Sequence, residues 1–284
     1  MGIQIHHGIQ TNGLALDDQW ASFFGGNNFL VGLSVDGTAE LHNRLRPDAA
    51  GKGTWNRACH GLSLLKRHNA EGNLLCVVTG AAARMPQRIY ASLKKLGDYP
   101  LQFIPCLDPL AAGRGSLPHS LHPAAYGDFL CGLYDAWMRD LANGHLVSIR
   151  YFDDLLSILC GLPPTSCANA GRCGSYLTVE GDGSLYPCDF YVLDEWYIGN
   201  IHTCSVEEAL DSPNGRRFRT QGDARPALCG TCRYVALCRG GCKRDWTSGP
   251  AGMQNYYCEA FQRFFDHALP GLRRAAAFLA SQRR

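Results

Sequence analysis

The sequence predicts an α/β protein with two textures: a parallel sheet with helices packed outside it, then a loop-rich, cysteine-rich region. Three observations point there. Short apolar runs of strand length alternate with helical patterns over residues 1 to about 110. Regular periodicity fades after Pro163. Eight cysteines in short-spaced sets, out of 14 in all, lie between Cys167 and Cys258.

The elements follow in order. Residues 3–11 read as a strand closed by the turn Asn12-Gly13. The apolar run from Phe29 to Val35 is a second strand, ended by Asp36-Gly37. Thr54 is a candidate N-cap for a helix that carries Ala58, Leu62 and Leu65 on related faces and runs to about His68. Residues 74–78 form a third strand. Residues 86–96 form a helix with Pro86 in its first turn, where a missing N–H costs nothing. Residues 101–105 form a fourth strand. Strand–helix–strand alternation of this kind implies parallel pairing. The first strand stands at an edge with no unit before it, so its apolar surface is expected to be uncovered. A Gly/Pro/Ser-rich connector, residues 109–123, leads to a helix over about 123–143 whose stripe is Phe129, Leu130, Leu133, Tyr134, Trp137 and Leu141. A further helix covers about 153–160, and residues 206–210 and 261–280 also read as helical.

Composition narrows the function classes. At 31.1 kDa with 46% hydrophobic residues, the chain can bury a sizeable core. The net charge is +2 and no dense Lys/Arg run appears, which argues against nucleic acid. No uninterrupted apolar stretch is long enough for a transmembrane helix. Residues 1–13 lack a basic segment followed by an apolar block, so no secretory signal is expected. Many cysteines without export point to reduced thiols and metal in the cytoplasm, not to disulfides.

The cysteine spacing carries the chemistry. Cys229-x2-Cys232-x5-Cys238-x3-Cys242 is followed by Cys258 and preceded by Cys167, Cys173 and Cys188. Short loops of this kind bring several thiolates onto one soft metal centre, with iron–sulfur leading and paired four-cysteine zinc sites as the alternative. Cys59, Cys76, Cys106, Cys131, Cys160 and Cys204 have no mutual spacing and read as small buried hydrophobes. The ten histidines, His42 among them, form no ligand pattern and read as surface or capping residues.

Together, Cys173-x9-Gly183-x4-Cys188, the four-cysteine block and Cys258 resemble the twin-cluster SPASM extension of radical S-adenosylmethionine (SAM) enzymes. The upstream half resembles their partial (β/α)6 barrel from its third strand on. Gln10-Thr11-Asn12-Gly13, Ser34-Val35-Asp36-Gly37 and Gln102-Phe103-Ile104-Pro105 look like the ends of its third, fourth and sixth strands. Within that group the chain is most similar to anaerobic sulfatase-maturating enzymes, through residues 42–46, Tyr186-Pro187-Cys188-Asp189-Phe190, Ile198-Gly199-Asn200-Ile201 and Asn255-Tyr256-Tyr257-Cys258. The fold this implies is an incomplete barrel lacking its first strands (1–110), a helical connector (111–162), a SPASM domain (163–262) and a C-terminal helix (263–284).

The resemblance also implies roles. One auxiliary [4Fe–4S] cluster takes Cys167, Cys173, Cys188 and Cys242; the other takes Cys229, Cys232, Cys238 and Cys258. Ser34, Arg46 and Leu107 fall where the family contacts SAM. Asp189 falls where a base accepts the proton of a Cys or Ser being oxidised to formylglycine; the plainer reading is an Asp that caps its own turn. The implied partners are an unfolded sulfatase polypeptide and an electron donor such as flavodoxin or ferredoxin, with no nucleic acid and no membrane. The family's Cys-x3-Cys-x2-Cys motif, which holds the SAM-cleaving third cluster, occurs nowhere in this sequence. The chain is therefore expected to be a truncated form, inactive alone. A maturase of another peptide and a non-catalytic iron–sulfur scaffold stay open as alternatives.

Overall fold

The computed structural model describes residues 4–110, 112–174, 176–249 and 252–281. They form two compact units, residues 1–153 with 266–268 and residues 154–265 with 269–284.

The first unit is built on β1 (His7–Thr11), β2 (Phe29–Ser34), β3 (Glu71–Val78) and β4 (Leu101–Pro105), in that spatial order. All three pairings are parallel, with Gly32 opposite Gln10 and Asn73, and Cys76 opposite Phe103. Helices make the crossovers: α1 (Asp18–Gly26), α2 (Ala39–Leu45), α3 (Trp55–Arg67) and α4 (Pro86–Lys94), with α5 (Pro123–Ala142) after the last strand. The strand expected from residue 3 is observed from His7, and residues 1–3 lie outside the described residues. Its first four residues are exposed, as an uncovered edge requires.

Two helices of this unit were not legible in the sequence. The α1 segment carries Trp20, Phe23, Gly25 and Gly26, none of them strong helix formers, and each interior glycine costs about 1 kcal/mol. Tertiary packing offsets that cost. Phe24 and Ala21 join Val31, Leu64, Leu65 and Ala70 in one buried cluster, and burying a side chain such as Phe contributes about 1.5–3 kcal/mol. Gly25 permits the close fit, because a Cβ there would stand 2.1 Å from the His68 carbonyl oxygen. The signal that marks this helix is its cap, since Asp17 accepts a hydrogen bond from the Trp20 N–H at 2.8 Å. The α2 helix is likewise capped by Thr38, which accepts from the Leu41 N–H.

In α5, Phe129, Leu130, Leu133, Tyr134 and Trp137 are buried as the stripe predicts, and Leu141 is half-buried. The Trp137 indole donates to the Val147 carbonyl at 2.8 Å, so this large side chain buries no unmet donor.

The helix α6 (Arg150–Leu159) contributes residues to both units. The second unit continues with the short α7 (Cys167–Ala170) and a small antiparallel sheet of β5 (Thr178–Val179), β6 (Ser184–Tyr186) and β7 (Gly199–Asn200). Then come α8 (Val206–Asp211), α9 (Pro213–Asp223) and α10 (Val235–Cys238). The hairpin β8 (Trp246–Gly249) and β9 (Gly252–Asn255) precedes α11 (Cys258–Ser281). Around the small sheet, Leu185, Ile198 and Ala209 make only a modest apolar cluster. Loop-rich units with sheets this small are often held by bound metal. Among the described residues, no helix is long and apolar enough to cross a membrane.

Candidate metal centre and cofactor edge

The eight spaced cysteines fall into two sets in the structure. The Cys173 thiol lies within electrostatic reach of Cys167 and Cys188, and the Cys242 thiol within reach of Cys167 and Cys173. The thiols of Cys229, Cys232, Cys238 and Cys258 form the other set. All 14 cysteines carry free thiols. Among the described residues, no three His, Cys, Asp or Glu side chains close tightly enough to grip a single ion. The thiols gather without converging on one point. Burial pushes the Cys173 thiol up to about 11 and the Cys238 thiol up to about 12, and raises Cys242 as well. Thiolate ligation must overcome that cost, so filling either set releases protons. The donor set fits two four-thiolate clusters.

Local structure explains how distant cysteines meet. Cys242 opens the turn 243–245, and its sulfur accepts from the Arg244 N–H at 3.4 Å. Cys258 opens α11, and its sulfur accepts from the Gln262 amide at 3.4 Å. Cys173 packs so closely on α9 that a Cβ at Gly222 would lie 2.4 Å from the Cys173 Cβ. Only glycine fits there.

Asp154 organises the approach to Cys167, and no sequence signal marked it. This carboxylate is 2% exposed. It accepts from the Thr165 N–H and hydroxyl (2.6 and 2.9 Å), the Ser166 N–H and hydroxyl (3.3 and 2.7 Å) and the Asn169 amide (2.8 Å). Ser166 in turn caps α7 by accepting from the Asn169 N–H. Burial alone raises the Asp154 pKa, but the bonds from Thr165, Ser166 and Asn169 outweigh it, so the carboxyl titrates below its ordinary value. A depressed pKa contributes stability above the unfolded-state value of about 4, and that contribution disappears as pH falls through the lowered folded value. Asp154→Ala should therefore cost roughly 2–4 kcal/mol at neutral pH by stranding several donors. Urea unfolding of the variant should also lose part of the wild type's acid dependence. An unchanged midpoint at neutral pH would refute the organising role.

Asp189 follows the ligand-set residue Cys188 and lies in the turn 189–191. Its exposed carboxylate accepts from the Tyr176 hydroxyl at 2.7 Å, and the same hydroxyl stands 3.3 Å from the Cys188 sulfur. Tyr176 carried no signal in the sequence.

In the first unit, Ser34, Arg46 and Leu107 belong to the carboxyl edge of the parallel sheet. Ser34 ends β2 opposite Leu75 of β3, and Leu107 follows β4 by two residues. Ligands of open α/β sheets bind outside this edge. Arg46 is fixed there by a two-pronged ion pair, Nε to Asp36 Oδ2 at 2.6 Å and Nη2 to Asp36 Oδ1 at 3.3 Å. Asp36 also accepts from the Val77 N–H of β3 at 2.9 Å. Arg46 is thus no loose loop cation, and its Nη1 takes no part in that pair.

Two sequence expectations are corrected at this edge. His42 is 1% exposed, not a surface residue. Its Nδ1 accepts from the Asp36 N–H at 3.1 Å, and its Nε2 meets the Thr54 hydroxyl at 3.1 Å. Burial lowers its pKa, which suits a neutral ring that accepts at Nδ1 and donates at Nε2. Thr54 precedes α3 as expected but does not cap it through its side chain. Its hydroxyl instead donates to the Arg46 carbonyl at 2.5 Å, a stronger demand than a helix end that water can satisfy. Of the six unspaced cysteines, only Cys76 is fully buried, and the others are half-buried.

The iron-sulfur cluster-binding domain SPASM matches residues 167–233. The cysteine-type anaerobic sulfatase-maturating enzyme of Clostridium novyi is 44% identical over 280 residues, 98% of this chain and 75% of that protein. The chain belongs to the anaerobic sulfatase-maturating enzymes of the radical SAM/SPASM family. The serine-type enzyme of Bacteroides thetaiotaomicron shares 32% identity over 95% of this chain and 69% of its own length. A solved structure of native anSMEcpe with bound AdoMet and Cp18Cys peptide superposes with a TM-score of 0.93 at 42% identity, covering 98% of this chain and 77% of that one. Membership makes iron–sulfur clusters and SAM the cofactors of this family's chemistry and displaces the zinc alternative.

Proposed function

We propose that this chain is part of a radical SAM maturase that converts a sulfatase Cys or Ser to formylglycine. The observation that carries the reading is the gathering of eight cysteines into two sets of four in a chain 44% identical to a cysteine-type maturase. The identity to serine-type relatives is lower, 32%, so a cysteine-bearing sulfatase segment is the favoured substrate. Cys167, Cys173, Cys188 and Cys242 hold one auxiliary cluster, and Cys229, Cys232, Cys238 and Cys258 the other. With every iron bound to a thiolate, neither cluster keeps a site for substrate. Their work is electron transfer and structural support.

When bound and reduced, SAM with its own cluster supplies the radical that removes a hydrogen from Cβ of the target residue. This chain's residues do the rest. Ser34 offers a hydroxyl to SAM, Arg46 a cation to its carboxylate and Leu107 an apolar contact to its adenine. The Asp36 pair pre-orients Arg46, so little side-chain freedom is lost on binding. Asp189 takes the proton of the target thiol. Electrons come from a flavodoxin- or ferredoxin-like donor, and the free thiols suit a reducing compartment, the cytoplasm.

The sequence has no Cys-x3-Cys-x2-Cys, so this chain alone should not cleave SAM reductively. Reconstituted protein incubated with dithionite and SAM should form no 5′-deoxyadenosine above a protein-free control. Its formation would mean that another group binds SAM at iron. The maturase reading itself is tested by completing the chain with a Cys-x3-Cys-x2-Cys segment and offering a Cys-x-Pro-x-Arg peptide. Mass spectrometry should then find the aldehyde product. Deoxyadenosine without peptide aldehyde would point to a different peptide substrate.

A further inference from the structure

Lys243 follows Cys242, is half-buried, and does not extend freely into solvent as a lysine ordinarily would. Its ammonium sits in a three-walled aromatic cage, 4.1 Å from the Phe218 ring centre, 4.6 Å from Trp196 and 5.2 Å from Tyr191. All three lie within the roughly 6 Å at which a ring face attracts a cation. The rings brace one another edge to face, with centres 5.1–5.9 Å apart. Phe218 is 1% exposed and Trp196 is 6% exposed. The Gln221 side-chain oxygen accepts from the ammonium at 3.0 Å. Arg217 lies against Trp196 as well, at 4.3 Å. The thiols of Cys173, Cys188 and Cys242 are within electrostatic reach of the ammonium. The second set differs, for the cation within reach of Cys229 is Arg225, which is exposed.

A cage built around one cation has a purpose that packing does not explain, because a leucine would fill the same space without desolvating a charge. We infer that Lys243 is a potential-setting residue: a fixed positive charge, partly shielded from water by its aromatic cage, that raises the reduction potential of the cluster on Cys167, Cys173, Cys188 and Cys242. This rests on the ligand assignment proposed above. One-electron reduction adds one negative charge to the cluster, and a neighbouring cation favours the more negative state. The cage matters because a charge in contact with bulk water is screened.

The test is a redox titration of anaerobically reconstituted protein, followed by electron paramagnetic resonance. Two reduction steps are expected, and Cys188→Ala should remove the step belonging to the first set. In Lys243→Met that step should move to lower potential. The reduced-to-oxidised ratio at fixed potential should fall about tenfold, equivalent to ~59 mV for a one-electron couple. The other step should stay in place. Lys243→Arg, which keeps the charge, should restore most of the shift. An unmoved step in Lys243→Met would overturn the inference, and so would an Arg variant shifted as far as the Met variant. If the Met variant does not retain its iron, Phe218→Leu keeps the lysine but admits water to it. That variant should shift the same step in the same direction by less, and no shift would overturn the inference equally. Failure of Cys188→Ala to remove the step that moves would instead refute the ligand assignment.

Discussion

Anaerobically reconstituted protein should carry about eight irons and eight sulfides per chain, and Cys188→Ala and Cys232→Ala should each lower both numbers to about four. The two variants should lose different clusters, because their sulfurs belong to different sets. Cys188 neighbours Cys173, while Cys232 neighbours Cys229, Cys238 and Cys258. A cluster missing one of four thiolates gains an exposed iron, and the remaining thiols return to the protonated form that burial favours. Iron and sulfide assays with Mössbauer spectra check this directly. About two tightly bound zinc ions with no iron retained would overturn the cluster assignment. Loss of all eight irons in either single variant would show that the two sites assemble as one unit.

Asp189→Asn, in a chain joined to a Cys-x3-Cys-x2-Cys segment, should lower peptide oxidation by the roughly 10²–10⁴-fold typical of a lost general base. Asparagine keeps the shape and can still accept from the Tyr176 hydroxyl at its carbonyl oxygen, so the local hydrogen bond of 2.7 Å survives. What it loses is the capacity to take a proton at neutral pH. Both auxiliary clusters should remain, since the carboxylate is not in either ligand set. SAM cleavage uncoupled from product should persist, because that step needs no base. An undiminished yield of aldehyde would assign Asp189 to shaping its turn. Loss of four irons would assign it to the first cluster's loop.

The strands of the parallel sheet were legible, β2, β3 and β4 because each is a short apolar run closed by Gly, Asp or Pro, whereas the short strands β5 to β9 were not. The runs at Phe29 and Leu101 became β2 and β4 almost residue for residue. The helices α1, α2 and α9 were not legible. In α9, the Pro213–Asp223 segment is polar and glycine-bearing, and its packing on Cys173 and in the Trp196 and Phe218 cluster, with the Ser212 cap, holds it in place. His42 and Thr54 were misread for a related reason. A polar side chain looks solvent-bound in sequence, and only the fold brings the Asp36 amide and the Arg46 carbonyl to meet it.

By itself, the sequence determined the class of protein. Strand-length apolar runs separated by helical segments fix a parallel α/β sheet, because local periodicity and turn chemistry act over only a few residues. The cysteine spacing likewise fixes a soft-metal protein, since short thiol loops have few other uses. Spacing alone left open which thiols share a set, and the tertiary structure brings Cys173 within electrostatic reach of Cys242 across 69 residues of chain. It also decided that Arg46 is clamped by Asp36, that Asp154 ties down the loop before Cys167, and that Lys243 is caged beside the first set. Each of these depends on a contact between residues far apart in sequence, whose closeness follows from the packing of whole elements.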